Sequence, residues 1–162
     1  MFMAWFKKVR KPIPVPAEPS RVPEGLWVKC PPCSKILYEK DLAKNMRVCV
    51  HCGHHFRMTA LQRLTTLLDD GRWTEHDRGL RSTDPLRFVD TKPYSKRLKT
   101  GAATTGRHDA AISAVGYIDG LKTVIVAMDY GFIGGSMGVV VGEIITRAIE
   151  RGLSEKLPLV II

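Results

Sequence analysis

The 162-residue sequence lacks several features that would assign it to common classes of protein. No apolar run approaches the roughly 20 residues that a membrane-spanning helix requires, so we expect no membrane span. Residues 1–11 contain no signal-peptide core and no cleavage pattern, which favours a cytoplasmic location. His-Glu-x-x-His, Gly-x-Ser-x-Gly and Walker A sequences are also absent, so no known protease, nucleophile-elbow or P-loop motif is indicated.

Cysteine is scarce, and all of it falls into one pattern, C-x2-C-x15-C-x2-C. The four residues are Cys30, Cys33, Cys49 and Cys52. This is the spacing of a four-thiolate zinc ribbon, in which the sulfurs lie about 2.3 Å from the ion and leave no position for water, so the predicted zinc is structural. Two disulfides are one alternative, but disulfides belong to oxidising compartments. A redox C-x-x-C is another, but it would explain one pair and leave the other unused, and a third is that a nearby histidine replaces one cysteine as ligand. Three nearby histidines are expected to lie outside the ligand set: His51, His54 and His55.

Positive charge is concentrated in the first two-thirds of the chain. Residues 1–25, 26–56 and 57–108 carry formal net charges of +3, +3 and +5, whereas residues 109–162 carry −2. A basic surface favours polyanions, such as nucleic acid or a phosphate-bearing cofactor. A solvated basic surface that meets an acidic partner subunit remains the alternative.

The chain divides into three predicted segments. Lys11–Pro23 contains five prolines, and because proline supplies no backbone N–H, we expect a basic tip and an extended linker over residues 1–25. The ribbon spans residues 26–56, and a larger domain occupies residues 57–162. So small a ribbon buries too little apolar area to fold alone, so chelation of the metal should unfold it. Its predicted strands are Trp27–Lys29, Ile36–Tyr38 and Arg47–Val48.

A helix is predicted directly after the ribbon. Thr59 and Gln62 form a capping-box pattern, and Gly71 is expected to end the helix in the left-handed conformation. Four leucines are expected to share its buried face: Leu61, Leu64, Leu67 and Leu68.

Residues 72–108 are less regular. Asp84-Pro85 predicts a turn, and Tyr94–Lys99 predicts a short helix. Three cations in that helix are candidates for phosphate contacts, although a run of charges is more often a solvated face: Lys96, Arg97 and Lys99.

The last third shows clear β-structure. Ala111–Ile118 and Leu121–Met128 are predicted strands joined by Asp119-Gly120, a strong type I′ hairpin signal. A helix follows, ending near Gly152, and Leu157–Ile162 has the pattern of a buried strand. The apolar positions of the predicted helix are Val140, Val141, Ile144, Ile145, Ala148 and Ile149. Because this unit has too few layers to cover both faces of its sheet, we expect a fragment or part of a larger assembly; a complete small domain is the alternative.

A glycine-rich turn separates the second strand from that helix. It contains Gly134, Gly135, Ser136 and Gly138. The glycines permit positive φ, and Ser136 is a candidate N-cap. The unpaired N–H groups at the helix start would suit a phosphate or the oxyanion of a reacting thioester. Asp129 and Glu143 flank the turn. By itself the signal is weak, because many such turns bind nothing.

Three segments in order resemble the front of the bacterial acetyl-coenzyme A carboxylase carboxyltransferase β-subunit family. They are Pro23–Cys30, Cys49–Ala60 and the glycine motif Tyr130–Gly142, and the resemblance is collinear from about Trp5 to Ile162. It implies an α+β fold, a zinc ribbon followed by an incomplete crotonase-like domain. It also implies that the four cysteines bind one structural Zn²⁺ and that Gly134, Gly135, Ser136 and Gly138 form a turn near the acetyl-CoA pocket.

The family's reaction moves a carboxyl group from carboxybiotin, on a carrier protein, to acetyl-CoA. The product is malonyl-CoA, for fatty-acid synthesis, within an ATP-dependent complex. The implied partners are a carboxyltransferase α subunit, two with two β subunits, together with the biotin carboxyl carrier protein and biotin carboxylase. No side-chain nucleophile is needed, and no catalytic residue is assigned.

The chain departs from the family's pattern in one respect, and a function of another class is an alternative. The family's second glycine motif lies beyond Ile162, so we expect residues 1–162 alone not to catalyse carboxyl transfer. The alternative is a zinc ribbon that binds nucleic acid beside a scaffold domain, and the basic charge also fits RNA binding as a side role of the family's ribbon.

Overall fold

The computed structural model describes residues 25–162. The predicted tip and linker, residues 1–25, therefore lie outside the described residues except for Gly25. Within the described part of the chain, no helix combines the length and the apolar character needed to cross a bilayer.

The ribbon contains one small antiparallel sheet. Strands β1 (Trp27–Lys29) and β2 (Ile36–Tyr38) pair as predicted. Helix α1 (Glu39–Lys44) follows β2 directly, and its six residues are too few for a helical period to be read from the sequence. The prediction of a third strand at Arg47–Val48 is wrong. Val48 forms only an isolated β-bridge with His55, and Arg47 has a φ of +59°, which is incompatible with a strand.

Helix α2 (Ala60–Leu67) begins at the predicted capping box. The N–H of Gln62 donates to Oγ1 of Thr59 at 3.2 Å, and the N–H of Thr59 donates to Oε1 of Gln62 at 2.9 Å. This reciprocal pair satisfies two N–H groups that a helix start otherwise leaves without partners.

The buried face of α2 is narrower than predicted. Leu64 and Leu68 are buried, whereas Leu61 and Leu67 are each 41% exposed. Helix α2 presents only one row of side chains, spaced four residues apart, to the sheet beneath it. The outer two leucines therefore flank this contact.

The predicted end of α2 at Gly71 is also wrong. The helix ends at Leu67, and Leu68 is extended so that its side chain reaches the sheet at Gly116, where an added Cβ would lie 2.9 Å from it. Asp69 then accepts hydrogen bonds from the N–H groups of Asp119 and Gly120 at 3.0 and 2.8 Å. Gly71 does have positive φ, +59°, but in the short 3-10 turn that follows.

A four-stranded sheet forms the centre of the larger domain. Its strands are β3 (Trp73–His76), β4 (Ala111–Ile118), β5 (Leu121–Met128) and β6 (Leu159–Ile161), and they lie side by side in that order. The strands β3 to β5 are antiparallel, and β6 runs parallel to β5. Asp119 and Gly120 have φ of +49° and +77°, which confirms the predicted type I′ hairpin between β4 and β5.

Helices cover both faces of this sheet, so the expectation of too few layers is wrong: it left out α2, which supplies the second layer. Helix α4 (Val139–Glu155) packs with Val141 and Ile144 against Val124 and Val126 on one face. On the opposite face, α2 packs against Ile112, Ala114, Ile125 and Ala127. Strand β5 is thus buried on both sides, which explains its nearly continuous apolar sequence.

The predictions for the end of α4 and for the last strand need correction. Gly152 lies inside the helix, where an added Cβ would be 3.3 Å from the carbonyl of Leu157, so glycine permits the returning chain to pass closely. The helix ends at Glu155, and Lys156 takes the left-handed conformation. Strand β6 is only partly buried, because it lies at the edge of the sheet beside β5.

Helix α3 (Tyr94–Thr105) is twice as long as the predicted Tyr94–Lys99 segment. Its second half contains small residues and threonines with no apolar period, so no helix is predicted there. The predicted turn at Asp84-Pro85 is confirmed, because the N–H of Arg87 donates to the carbonyl of Asp84 at 3.2 Å.

Candidate metal centre and glycine turn

The two cysteine turns have the same backbone hydrogen bonds. The N–H of Ser34 donates to the carbonyl of Cys30 at 2.8 Å, and the N–H of Gly53 donates to the carbonyl of Cys49 at 2.9 Å. Both donors have positive φ, +57° and +71°. Each C-x-x-C segment is therefore a tight turn that brings its two sulfurs to one edge.

The four sulfurs converge on one point. Their Sγ atoms all lie within 4.8 Å of one another. Cys30 and Cys52 are 3.6 Å apart at sulfur, and Cys33 and Cys49 are 3.8 Å apart. A disulfide needs about 2.0 Å, whereas four sulfurs around one zinc lie about 3.8 Å from each other. The donor set and its spacing therefore fit a tetrahedral zinc ion, and all four thiols are free.

The two buried thiols have different acidities. Burial raises the pKa of the Cys30 thiol to about 12. Burial also acts to raise the pKa of Cys49, but hydrogen bonds from the N–H groups of His51 and Cys52, together with contacts from the thiols of Cys52 and Cys30, outweigh it and lower that pKa to about 7. Since zinc binds thiolates, metal binding must displace protons from these groups.

The neighbouring histidines stand apart from the sulfurs. His54 packs edge-on against Phe56, with the ring centroids 5.0 Å apart. Its neighbours His51 and His55 are exposed. In residues 25–162 the cluster of potential metal ligands consists of the four cysteines.

Very little apolar side chain holds the ribbon together. Besides Cys30 and Cys49, its buried residues are Leu37 and Leu42, with Phe56 packed at the side. Two buried leucines cannot offset the conformational entropy lost in ordering such a segment. The geometry thus supports a ribbon whose folding depends on its metal.

The segment that follows the ribbon contacts the start of the glycine turn. The guanidinium of Arg57 lies 3.9 Å from the centroid of the Tyr130 ring, a cation–π contact. Buried Asp129 accepts hydrogen bonds from the N–H groups of Ala60 and Gly131, at 3.1 and 2.8 Å. The sequence placed Asp129 beside the turn but gave no sign that it also binds the first residue of α2.

The glycine turn takes a conformation that needs its glycines. Gly134 and Gly135 have φ of +68° and +73° within a short 3-10 turn. The N-cap of α4 is Gly138, and no side chain among residues 25–162 caps it, so the prediction that Ser136 caps the helix is wrong. Ser136 is extended and belongs to the end of the preceding turn. The first N–H groups of α4 are thus left for water or a ligand.

A cavity of about 560 Å³ opens beside this turn. One wall is the turn and the start of α4, and the other is the loop before α3 together with Tyr94 and Arg97. Its apolar lining includes Leu86, Phe88, Ile133, Val139 and Val140. A site with mainly apolar walls and a few polar groups is the usual form of a small-molecule pocket.

A second cavity, of about 330 Å³, adjoins the first. Arg97 and Ile133 line both. Its own wall is the face of α3 that carries Lys96, Thr100 and Thr104, with Lys92 at the rim. Of the three cations noted in the sequence, Lys96 and Arg97 face these cavities, and Lys99 does not line them.

Comparison with known proteins identifies relatives of this chain. Residues 27–52 match the acetyl-CoA carboxylase zinc finger domain. The chain is 47% identical to acetyl-coenzyme A carboxylase carboxyl transferase subunit beta of Citrifermentans bemidjiense and 44% identical to that of Chlorobaculum tepidum, over 99% of its length. The chain is a homologue of these β subunits. It spans 57% of the length of both relatives.

The fold agrees with this relationship. A solved single-chain, multi-domain long-chain acyl-CoA carboxylase has a TM-score of 0.52 to this chain at 18% identity, covering 65% of this chain and 10% of the other. At this identity the likeness is one of fold alone. The zinc ribbon and the α+β fold expected from the sequence are confirmed.

Proposed function

We propose that this chain serves as a β subunit of acetyl-CoA carboxylase carboxyl transferase, forming malonyl-CoA from acetyl-CoA and carboxybiotin. The observation that carries the proposal is the 44–47% identity to named β subunits along 99% of the chain. Similarity over this length includes both the ribbon and the glycine turn. Because the relatives are longer, the activity belongs to the complete subunit in its assembly.

The start of α4, directly after the glycine turn, suits the charge that develops in this reaction. Carboxybiotin releases CO₂, the acetyl group loses a proton to the departing biotin, and the enolate carbon attacks CO₂. Negative charge develops on the thioester oxygen. The uncapped N–H groups at the start of α4, with the positive end of the helix dipole behind them, suit this charge. Gly134, Gly135, Ser136 and Gly138 form the proposed substrate-binding turn.

The ribbon has a structural part in the proposal. Cys30, Cys33, Cys49 and Cys52 hold one Zn²⁺ per chain, and the ion takes no part in carboxyl transfer. Residues 26–56 form the ribbon, residues 57–162 belong to the carboxyltransferase domain, and residues 1–25 precede them.

The proposed partners follow from the reaction. A carboxyltransferase α subunit completes the active site in a heterotetramer of two α and two β subunits. The biotin carboxyl carrier protein brings carboxybiotin made by biotin carboxylase, and the whole system acts in cytoplasmic fatty-acid synthesis. The basic charge of residues 26–56, +3, supports RNA binding as an additional role of the ribbon.

A chimera tests the proposal independently of chain length. Residues 1–162 replace the aligned part of a full-length β subunit, which is purified with its α subunit and supplied with carboxybiotin carrier protein and acetyl-CoA. We expect malonyl-CoA, measured by chromatography. A matched chimera with Gly134→Val should assemble but turn over far more slowly, because valine disfavours the positive φ of this turn.

Two results would count against the proposal. An assembled, zinc-loaded chimera that forms no malonyl-CoA would remove the assigned activity. Salt-sensitive, zinc-dependent RNA binding by the same inactive chimera would favour the nucleic-acid-binding alternative instead.

A further inference from the structure

The two adjoining cavities form one groove, whose surface is mainly apolar at one end and carries two lysines at the other. Most of the surface at the end beside the glycine turn is apolar, with Phe88 and Val139 in its walls. Arg81, Asp84 and Asp90 also line this end, so both signs of charge are present there. The far end is walled by the Lys96 face of α3, with Lys92 at its rim. Arg97 and Ile133 line both cavities and so mark the point where they meet.

The cations at the far end are available to a ligand. Within residues 25–162, neither Lys92 nor Lys96 takes part in an ion pair, and both side chains are exposed. Arg97, in contrast, is held by the carboxylate of Asp90. That carboxylate also accepts from the N–H of Lys92 at 3.0 Å, which fixes the backbone at the rim of the groove.

The position of α3 is fixed by close packing on the turn segment. Gly101 faces the ring of Phe132, and an added Cβ would lie 3.1 Å from that ring. Phe132 directly precedes the glycine turn and is buried. The lysine-bearing helix and the turn are therefore parts of one packed unit, and the separation of the basic end from the glycine turn is set by the fold.

We propose that Lys92 and Lys96 bind the phosphate groups of coenzyme A while the acyl group lies at the glycine turn. The inference rests on the proposed function and names the residues that hold the phosphate-bearing end of its substrate. An acyl-CoA has the polarity of the groove: a largely uncharged arm and acyl group at one end, and clustered phosphates at the other. Flexible ammonium groups at the open end suit phosphates as point charges.

The test compares ligands with and without phosphate. The zinc-loaded chain is titrated by calorimetry with coenzyme A and with acetyl-pantetheine, which has the arm but no phosphate. We expect K92A/K96A to bind coenzyme A about tenfold more weakly, the loss of two solvent-screened charge contacts. Its affinity for acetyl-pantetheine should match that of the unmodified chain.

A control variant removes the same charge elsewhere. K40A/K99A deletes two exposed lysines that lie on helices and line neither cavity, and it should bind coenzyme A as the unmodified chain does. If K92A/K96A keeps full affinity, or if both double variants weaken equally, the assignment of these lysines is overturned while the proposed function stands. If the unmodified chain binds neither ligand, this inference is overturned, and the failure of the malonyl-CoA assay would then separately decide the proposed function.

Discussion

Oδ2 of Asp129 accepts a hydrogen bond from the backbone N–H of Ala60 at 3.1 Å, joining the end of β5 to the start of α2 across 69 residues of sequence. The other oxygen of the same carboxylate accepts from the N–H of Gly131 at 2.8 Å. One buried side chain thus connects the segment that leaves the ribbon with the segment that enters the glycine turn.

Asp129→Ala should therefore destabilise the larger domain by about 3 kcal/mol, because it leaves two N–H groups without their acceptor. Asp129→Asn keeps one acceptor oxygen and should cost about 1 kcal/mol. Urea unfolding of the zinc-loaded chain measures both. Glu150→Ala, which removes an exposed carboxylate, is the control; equal effects of Asp129→Ala and Glu150→Ala would contradict the bridging role.

Gly101→Ala and Gly142→Ala should change stability in opposite directions. Both glycines lie in helices, where alanine is favoured by up to about 1 kcal/mol. At Gly142 nothing lies within 4 Å of the added Cβ, so the substitution should stabilise the chain. At Gly101 the Cβ would be 3.1 Å from Phe132, and overpacking should cost about 1–2 kcal/mol net. Thermal unfolding measures the pair, and stabilisation by both would show that α3 does not pack closely on Phe132.

The loop before α3 should depend on the ionised form of Asp90. The N–H of Lys92 and the guanidinium of Arg97 lower the pKa of Asp90 below its ordinary value of 3.8. Because the pKa is lower in the folded chain, this contribution to stability is complete above 3.8 and is lost as the pH falls through the folded pKa. Carboxyl NMR titration should show the lowered pKa, and Arg97→Gln should raise it toward 3.8. A pKa of Asp90 at or above 3.8 in the unmodified chain would contradict the contacts.

Metal removal should unfold the ribbon and leave the larger domain folded. The ribbon has only two buried leucines, whereas the sheet is packed on both faces. After chelation, limited proteolysis should cleave within residues 26–56, and the segment after Ala60 should resist. Identical digestion patterns with and without chelator would show that the ribbon folds without metal.

The elements that the sequence predicted well depend on local signals. Each C-x-x-C pair, the Thr59–Gln62 capping box and the Asp119-Gly120 hairpin lie within a few residues, and each is formed as expected. Helix ends were predicted less well, because tertiary contacts decide them. Leu68 leaves α2 to reach Gly116, and Gly152 serves close packing on Leu157 instead of ending α4.

The groove could not be predicted, because its walls are distant in sequence. Phe88 and Val139 meet across the same cavity only once α3 and α4 have packed. From the sequence alone, Lys96 and Lys99 are equal candidates for phosphate contacts. The fold distinguishes them, since Lys96 lines the groove and Lys99 does not.

The binding of a single zinc ion by all four cysteines is the proposal on which the fold of the ribbon depends. X-ray absorption at the zinc edge of the purified chain tests it most directly. We predict one zinc per chain with four sulfur neighbours at about 2.3 Å. Zinc that is substoichiometric, or a shell in which nitrogen or oxygen replaces one of the sulfurs, would contradict the account.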